Sequence, residues 1–211
     1  MPKITIRQIG TAGMLATVSV LAAINAVYMM DVGRADAINL KARDTLIGVK
    51  SQGGKIDQQS WQNLFDQFNE VASIAPGSPQ LHEDLAYMYA IRSSVKTTTS
   101  ESAASAQQVH ANLEKAEAEY KTSIRLRPMA SAAWANLALA SFLLQRDDSA
   151  IATQIDRALD LGANDAVTLI PLFFIMTHGG NQRFASQQSR LMEAFRGLRN
   201  AARQDVLKAM H

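Results

Sequence analysis

The chain has 211 residues, 47% of them hydrophobic, and no cysteine. That length and apolar content suffice for one buried core with an appendage, and the missing cysteines exclude disulfides, thiolate catalysis and cysteine-ligated metal. The formal charge of +2 hides a division, because residues 31–180 hold 13 Lys/Arg against 17 Asp/Glu while residues 181–211 hold 6 against 2. The bulk of the chain therefore lacks the basic surface that a nucleic-acid binder presents, and no nucleic-acid partner is expected.

Residues 9–30 form an uncharged run of 22, preceded by Lys3 and Arg7. As a helix it is about 33 Å long, which matches a bilayer core. The run is longer than the apolar segment of a cleaved signal peptide, and the small-residue pairs near its end make poor cleavage sites, so residues 1–30 are expected to be an uncleaved membrane anchor. The acid-free amino terminus places that end inside and the rest of the chain outside the cytoplasmic (inner) membrane, with a periplasmic ectodomain.

Residues 31–57 continue with a helical stripe (Ala35, Ile38, Ala42, Leu46, Val49) and end at the turn signal Gly53-Gly54, which reads as a juxtamembrane helix and linker. The fold expected beyond it is all-α. Trp61, Leu64, Phe68 and Val71 share one helical face, closed by Pro76, and a second helix follows over residues 81–92. The Ser/Thr/Ala-rich stretch 93–108 reads as an insertion, with Thr98 and Glu101 at capping-box spacing before it turns helical. Three more stripes follow: Ala116, Tyr120, Ser123 and Ile124, stopped at Pro128; Trp134, Leu137, Ala138 and Ser141; then Ile151, Ile155 and Ala158. Residues 181–211 read as two amphipathic helices separated near Gly197.

The stripes recur. A shift of 52 residues places Leu64, Phe68, Pro76, His82, Leu85, Ala86 and Tyr89 on Ala116, Tyr120, Pro128, Trp134, Leu137, Ala138 and Ser141, and three of those pairs are identical. A further shift of 35 carries Tyr120, Ser123, Trp134 and Leu137 onto Ile155, Ala158, Leu169 and Leu172, although Pro171 interrupts the helix there. The pattern resembles the tetratricopeptide repeat, whose period is about 34 residues. The resemblance implies a short solenoid of antiparallel helix pairs over residues 58–180, with Trp134, Phe68 and Tyr120 packed between helices. It also implies a concave groove that binds a peptide or a partner helix. On this register the groove residues are Gln80, Glu83, Tyr87 and Ile91, then Leu139 and Phe142, then Ile170 and Phe174. So apolar a lining is either a binding site or is covered from within, and the carboxyl-terminal helices are the expected cover.

Chemistry finds little support in the residues. His82-Glu83-Asp84 lacks the second His four residues on that a zinc-protease helix needs, and Gly53-Gly54 and Gly179-Gly180 lack phosphate-loop spacing. No enzyme, metal or cofactor is expected. One amino-terminal span before a short helical array, with helices in the style of residues 60–90, also resembles membrane-anchored accessory proteins of bacterial exopolysaccharide biosynthesis, the VpsP type. That resemblance implies an adaptor or scaffold for another envelope protein, with polysaccharide contact as a further implication. The alternative is a periplasmic holdase or a protein that binds an anionic polymer, which the apolar groove and the basic end respectively allow; Arg183, Arg190, Arg196, Arg199, Arg203 and Lys208 otherwise form a solvated face. Nothing in the residues sets an oligomeric state.

Overall fold

The computed structural model describes residues 6–54, 56–94, 102–179 and 183–209, with side chains over 19–54, 56–92, 106–179 and 183–209. All regular structure among them is helical: α1 (Ile6–Ser51), α2 (Gln58–Ile74), α3 (Pro79–Ser94), α4 (Ser102–Leu126), α5 (Ser131–Leu143), α6 (Asp148–Gly162), α7 (Ala166–Gly179), α8 (Ala185–Gly197) and α9 (Asn200–Ala209). The capping box at Thr98 and Glu101 lies outside the described residues.

Local chemistry sets the ends. The Asp57 carboxylate accepts the Ser60 amide at 2.9 Å ahead of α2, and Asp147 accepts the Ser149 and Ala150 amides ahead of α6. Helix α1 stops at Gly53 and Gly54, both in the left-handed region (φ 70° and 77°), where the Gly54 amide closes back on the Val49 carbonyl at 2.9 Å. Helix α7 runs through Pro171 and is not interrupted there. The bond forgone is the one to the carbonyl of Val167, which sits in the first turn with its side chain exposed to water, and the prolyl ring itself is buried.

The helices stack as successive pairs, α1 with α2, α3 with α4 and α5 with α6, and α7 packs against α5. This helical-repeat-like arrangement is compatible with the tetratricopeptide pattern. Residues 31–50, expected as a juxtamembrane helix, are part of the first pair: Ala35, Ala42, Leu46 and Val49 are buried with Trp61, Leu64, Phe68, Val71, Leu81, Leu85 and Met88. A middle cluster holds Ala116, Tyr120, Ile124 and Leu137, and a third holds Ile151, Ile155, Leu169, Leu172, Leu191 and Val206. Trp134, expected between paired helices, is only half-buried; its ring bridges the second and third clusters and its indole N–H donates to the Pro128 carbonyl at 2.9 Å. The indole needs that acceptor, which holds one edge of the ring at the surface.

Helices α8 and α9 do not roof the repeats as expected. Helix α8 lies on α6 and α7, and α9 lies on α7, so the carboxyl end lengthens the stack. Apolar burial holds it there, with Phe184, Leu191, Leu198 and Val206 inside the third cluster, and surface ion pairs add to it: Arg183 pairs with Asp148, and Arg190 reaches Asp156 at 2.5 Å and Asp160 at 2.6 Å.

At the other end, α1 is one continuous helix of 46 residues, about 69 Å long. Its first half leaves Val20, Leu21, Ile24, Val27, Tyr28, Met29 and Met30 more than half exposed, on every side of the helix. Among the described residues no helix is long and apolar enough to cross a membrane, and the side chains of residues 9–18 of the expected span lie outside them.

Candidate functional site

The eight expected groove residues do not line one open channel. On α3, Gln80 turns to the Asp84 carboxylate (3.5 Å), and Glu83 is drawn to α4, accepting from Ser123 Oγ at 3.0 Å and Arg127 at 2.5 Å. The end of α1 covers the rest of that stripe. Lys50 Nζ sits 4.7 Å from the Tyr87 ring centre, and a side chain at Gly54 would meet Ile91 at 3.3 Å. Tyr87 is half-buried, which pushes its phenol pKa up, and Ile91 is buried. On α5 and α7, Leu139, Phe142 and Ile170 are half-buried against the third cluster, with the Arg183 guanidinium over Phe142. Phe174 alone of the eight is exposed, stacked on His178 at 4.1 Å, with Leu143 and Val167 also exposed on the same two helices.

Two interhelical polar clusters tie Asp84 and His82 of α3 to α1 and α4, and a third joins α4 to Arg146. Asp84, 2% exposed, faces Arg43 at 3.1 Å and Lys50 at 3.2 Å, both from α1. His82 holds Glu119 of α4 through Nδ1 at 2.6 Å and the Pro76 carbonyl through Nε2 at 2.9 Å, so its ring joins two elements. Glu117 is buried on α4, which raises its pKa, but Lys121 at 2.8 Å and Arg146 at 3.0 Å outweigh burial and hold the carboxyl below its usual value.

A different surface remains open. Helices α2, α3 and α4 enclose a cleft of about 390 Å³. Its wall is aromatic: Trp61 stacks on Phe65 with ring centres 4.7 Å apart, and Tyr89 meets Phe65 edge to face at 5.1 Å. The Trp61 indole N–H donates to the Met88 carbonyl at 3.0 Å, which locks the ring to α3. Two cations stand over this wall, Arg92 5.1 Å from the Trp61 ring and Lys115 5.5 Å from the Tyr89 ring. Gln58, Gln62, Gln108 and Asn112 complete the lining, and it includes no carboxylate. Sequence reasoning missed this cleft, although its signal was present as two amide pairs at helical spacing, Gln58 with Gln62 and Gln108 with Asn112.

Half of the six cations at the carboxyl end are held within the fold. Arg183 and Arg190 are tied to α6, and Arg203 donates to the Arg196 and Leu198 carbonyls, which leaves Arg196, Arg199 and Lys208 without ion-pair partners among the described residues. Compared with protein-family models and with curated proteins, the chain finds no match.

Proposed function

We propose that the chain is a membrane-anchored helical-repeat adaptor: residues 9–30 hold it in the cytoplasmic membrane, and the helix pairs beyond hold another protein of the cell envelope on the periplasmic side. The observation that carries the reading is α1 itself. One helix joins a stretch, residues 20–30, whose apolar side chains are exposed on all sides to a stretch, residues 35–49, that is buried against α2 and α3. Apolar side chains on every side of a helix suit a core or a bilayer, and among the described residues nothing covers those of residues 20–30. On this reading the same helix carries the repeat array above its anchor. The tetratricopeptide-like offsets and the resemblance to exopolysaccharide accessory proteins favour an envelope assembly as the partner's setting. Exposed apolar side chains on adjacent helices, Leu143, Val167 and Phe174, supply the surface.

The test is site-specific photocrosslinking in intact cells. A photoreactive phenylalanine at Phe174 gives one discrete adduct with an envelope protein, and the same group at Thr153, exposed on α6, does not. Absence of an adduct from Phe174, or equal adducts from both positions, contradicts the adaptor reading.

A further inference from the structure

We propose that the α2/α3/α4 cleft is a binding site for an acidic sugar, a uronate-type unit bearing one carboxylate on a hydroxylated ring. The argument starts from charge. Arg92 and Lys115 have no ion-pair partner among the described residues, in a body where acidic residues outnumber basic ones. The carboxylates nearest Lys115 along α4 are engaged elsewhere, Glu114 by Arg146 and Glu119 by His82. Both cations are instead oriented over aromatic rings, which positions them without neutralising them. Two oriented cations with no ion-pair partner among the described residues favour an anion in the cleft beside them.

Neutral groups narrow the class. Gln58, Gln62, Gln108 and Asn112 carry amides that donate and accept; Gln62 gives one donor to Asp66 and Gln108 one to Asn112, and the donors and acceptors left over suit hydroxyls, which also do both. The half-buried Phe65 and Tyr89 add apolar surface for ring C–H groups. A planar base is disfavoured, since Trp61 already has Phe65 on one side and Arg92 over its ring. The volume of about 390 Å³ falls in the range of small-ligand clefts, ~300–1,000 Å³, and not of the long groove that an extended peptide needs. The proposal stands apart from the adaptor reading, because no cleft residue belongs to the α5/α7 surface.

The experiment is isothermal titration of the full chain in mild detergent with trigalacturonate. Saturable binding is expected, weakened at least about tenfold by Arg92→Gln and separately by Lys115→Gln, as loss of a charge-assisted hydrogen bond does. Both side chains are surface cations, and unchanged far-ultraviolet circular dichroism checks each fold. In a Trp134→Phe background the emission of Trp61 shifts on binding, which places the ligand in this cleft. Absence of saturable binding overturns the proposal. So does binding that survives both substitutions, equal binding of the neutral methyl ester, or equal competition by inorganic phosphate or by an acidic peptide, each of which removes one part of the assigned chemistry.

Discussion

Asp84 ties α1 to α3 by charge, and its surroundings make an asymmetric prediction. Its carboxylate is 3% exposed, while Arg43 and Lys50 are 43% and 41% exposed. Lys50 donates to Oδ1 at 3.2 Å; Arg43 Nε lies 3.1 Å from Oδ2 without hydrogen-bond alignment, so that oxygen is compensated by charge alone. Each attraction is worth about 4 kcal/mol at an effective dielectric of 20 before desolvation is subtracted. Replacing both cations by Met strands a buried carboxylate and costs about 3–5 kcal/mol. Asp84→Asn leaves two cations that water already reaches, so its cost is about 1–2 kcal/mol. Adding Asp84→Asn to the double Met variant therefore raises stability. Urea unfolding of the full chain in mild detergent, followed by circular dichroism, measures the cycle. An Asp84→Asn variant as unstable as the double Met variant, or one that fails to rescue it, refutes the reasoning.

Two glycines predict opposite signs. A methyl at Gly162 would fall 2.4 Å from Ser131 Cβ and 2.8 Å from Thr168 Oγ1, so Gly162→Ala forces α5 and α6 apart and costs about 1–3 kcal/mol, while Gly48→Ala in α1 meets nothing within 4 Å and gains about 1 kcal/mol; thermal melts separate the two. Glu117 sets a pH dependence. Its folded pKa lies below the ordinary 4.5, so its stabilisation is full above that value and is lost as pH falls through the folded pKa; Glu117→Gln flattens the stability curve below about pH 4.5, and parallel curves would contradict this.

Much of the fold was legible because helical periodicity reports burial directly. The stripe Trp61, Leu64, Phe68, Val71 is the buried face of α2, and Ile151, Ile155 and Ala158 are that of α6. Periodicity does not say which helix covers a stripe. Residues 35–49 carried a clear pattern, yet their partner was not visible, and so the covering of Tyr87 and Ile91 by Lys50 and the Gly54 turn was missed. The same blindness set α8 and α9 over the groove, because the contacts that seat α8 on α6, its buried Leu191 among them, join residues far apart in the chain, as the arginine–aspartate pairs 30 to 35 positions apart do. The cleft was hidden for a related reason. Its residues come from three helices, with the insertion between Arg92 and Gln108, and each separately reads as ordinary amphipathic surface.

The absence of native cysteine makes the anchored rod directly measurable. Single cysteines at Leu21, Ile24, Leu40 and Ile47, all exposed on α1, are treated in intact membrane vesicles with a membrane-impermeant maleimide. The account predicts that Leu21→Cys and Ile24→Cys stay unlabelled until detergent is added, while Leu40→Cys and Ile47→Cys label at once in right-side-out vesicles. Prompt labelling at all four positions, with the chain released by alkaline carbonate, would contradict it.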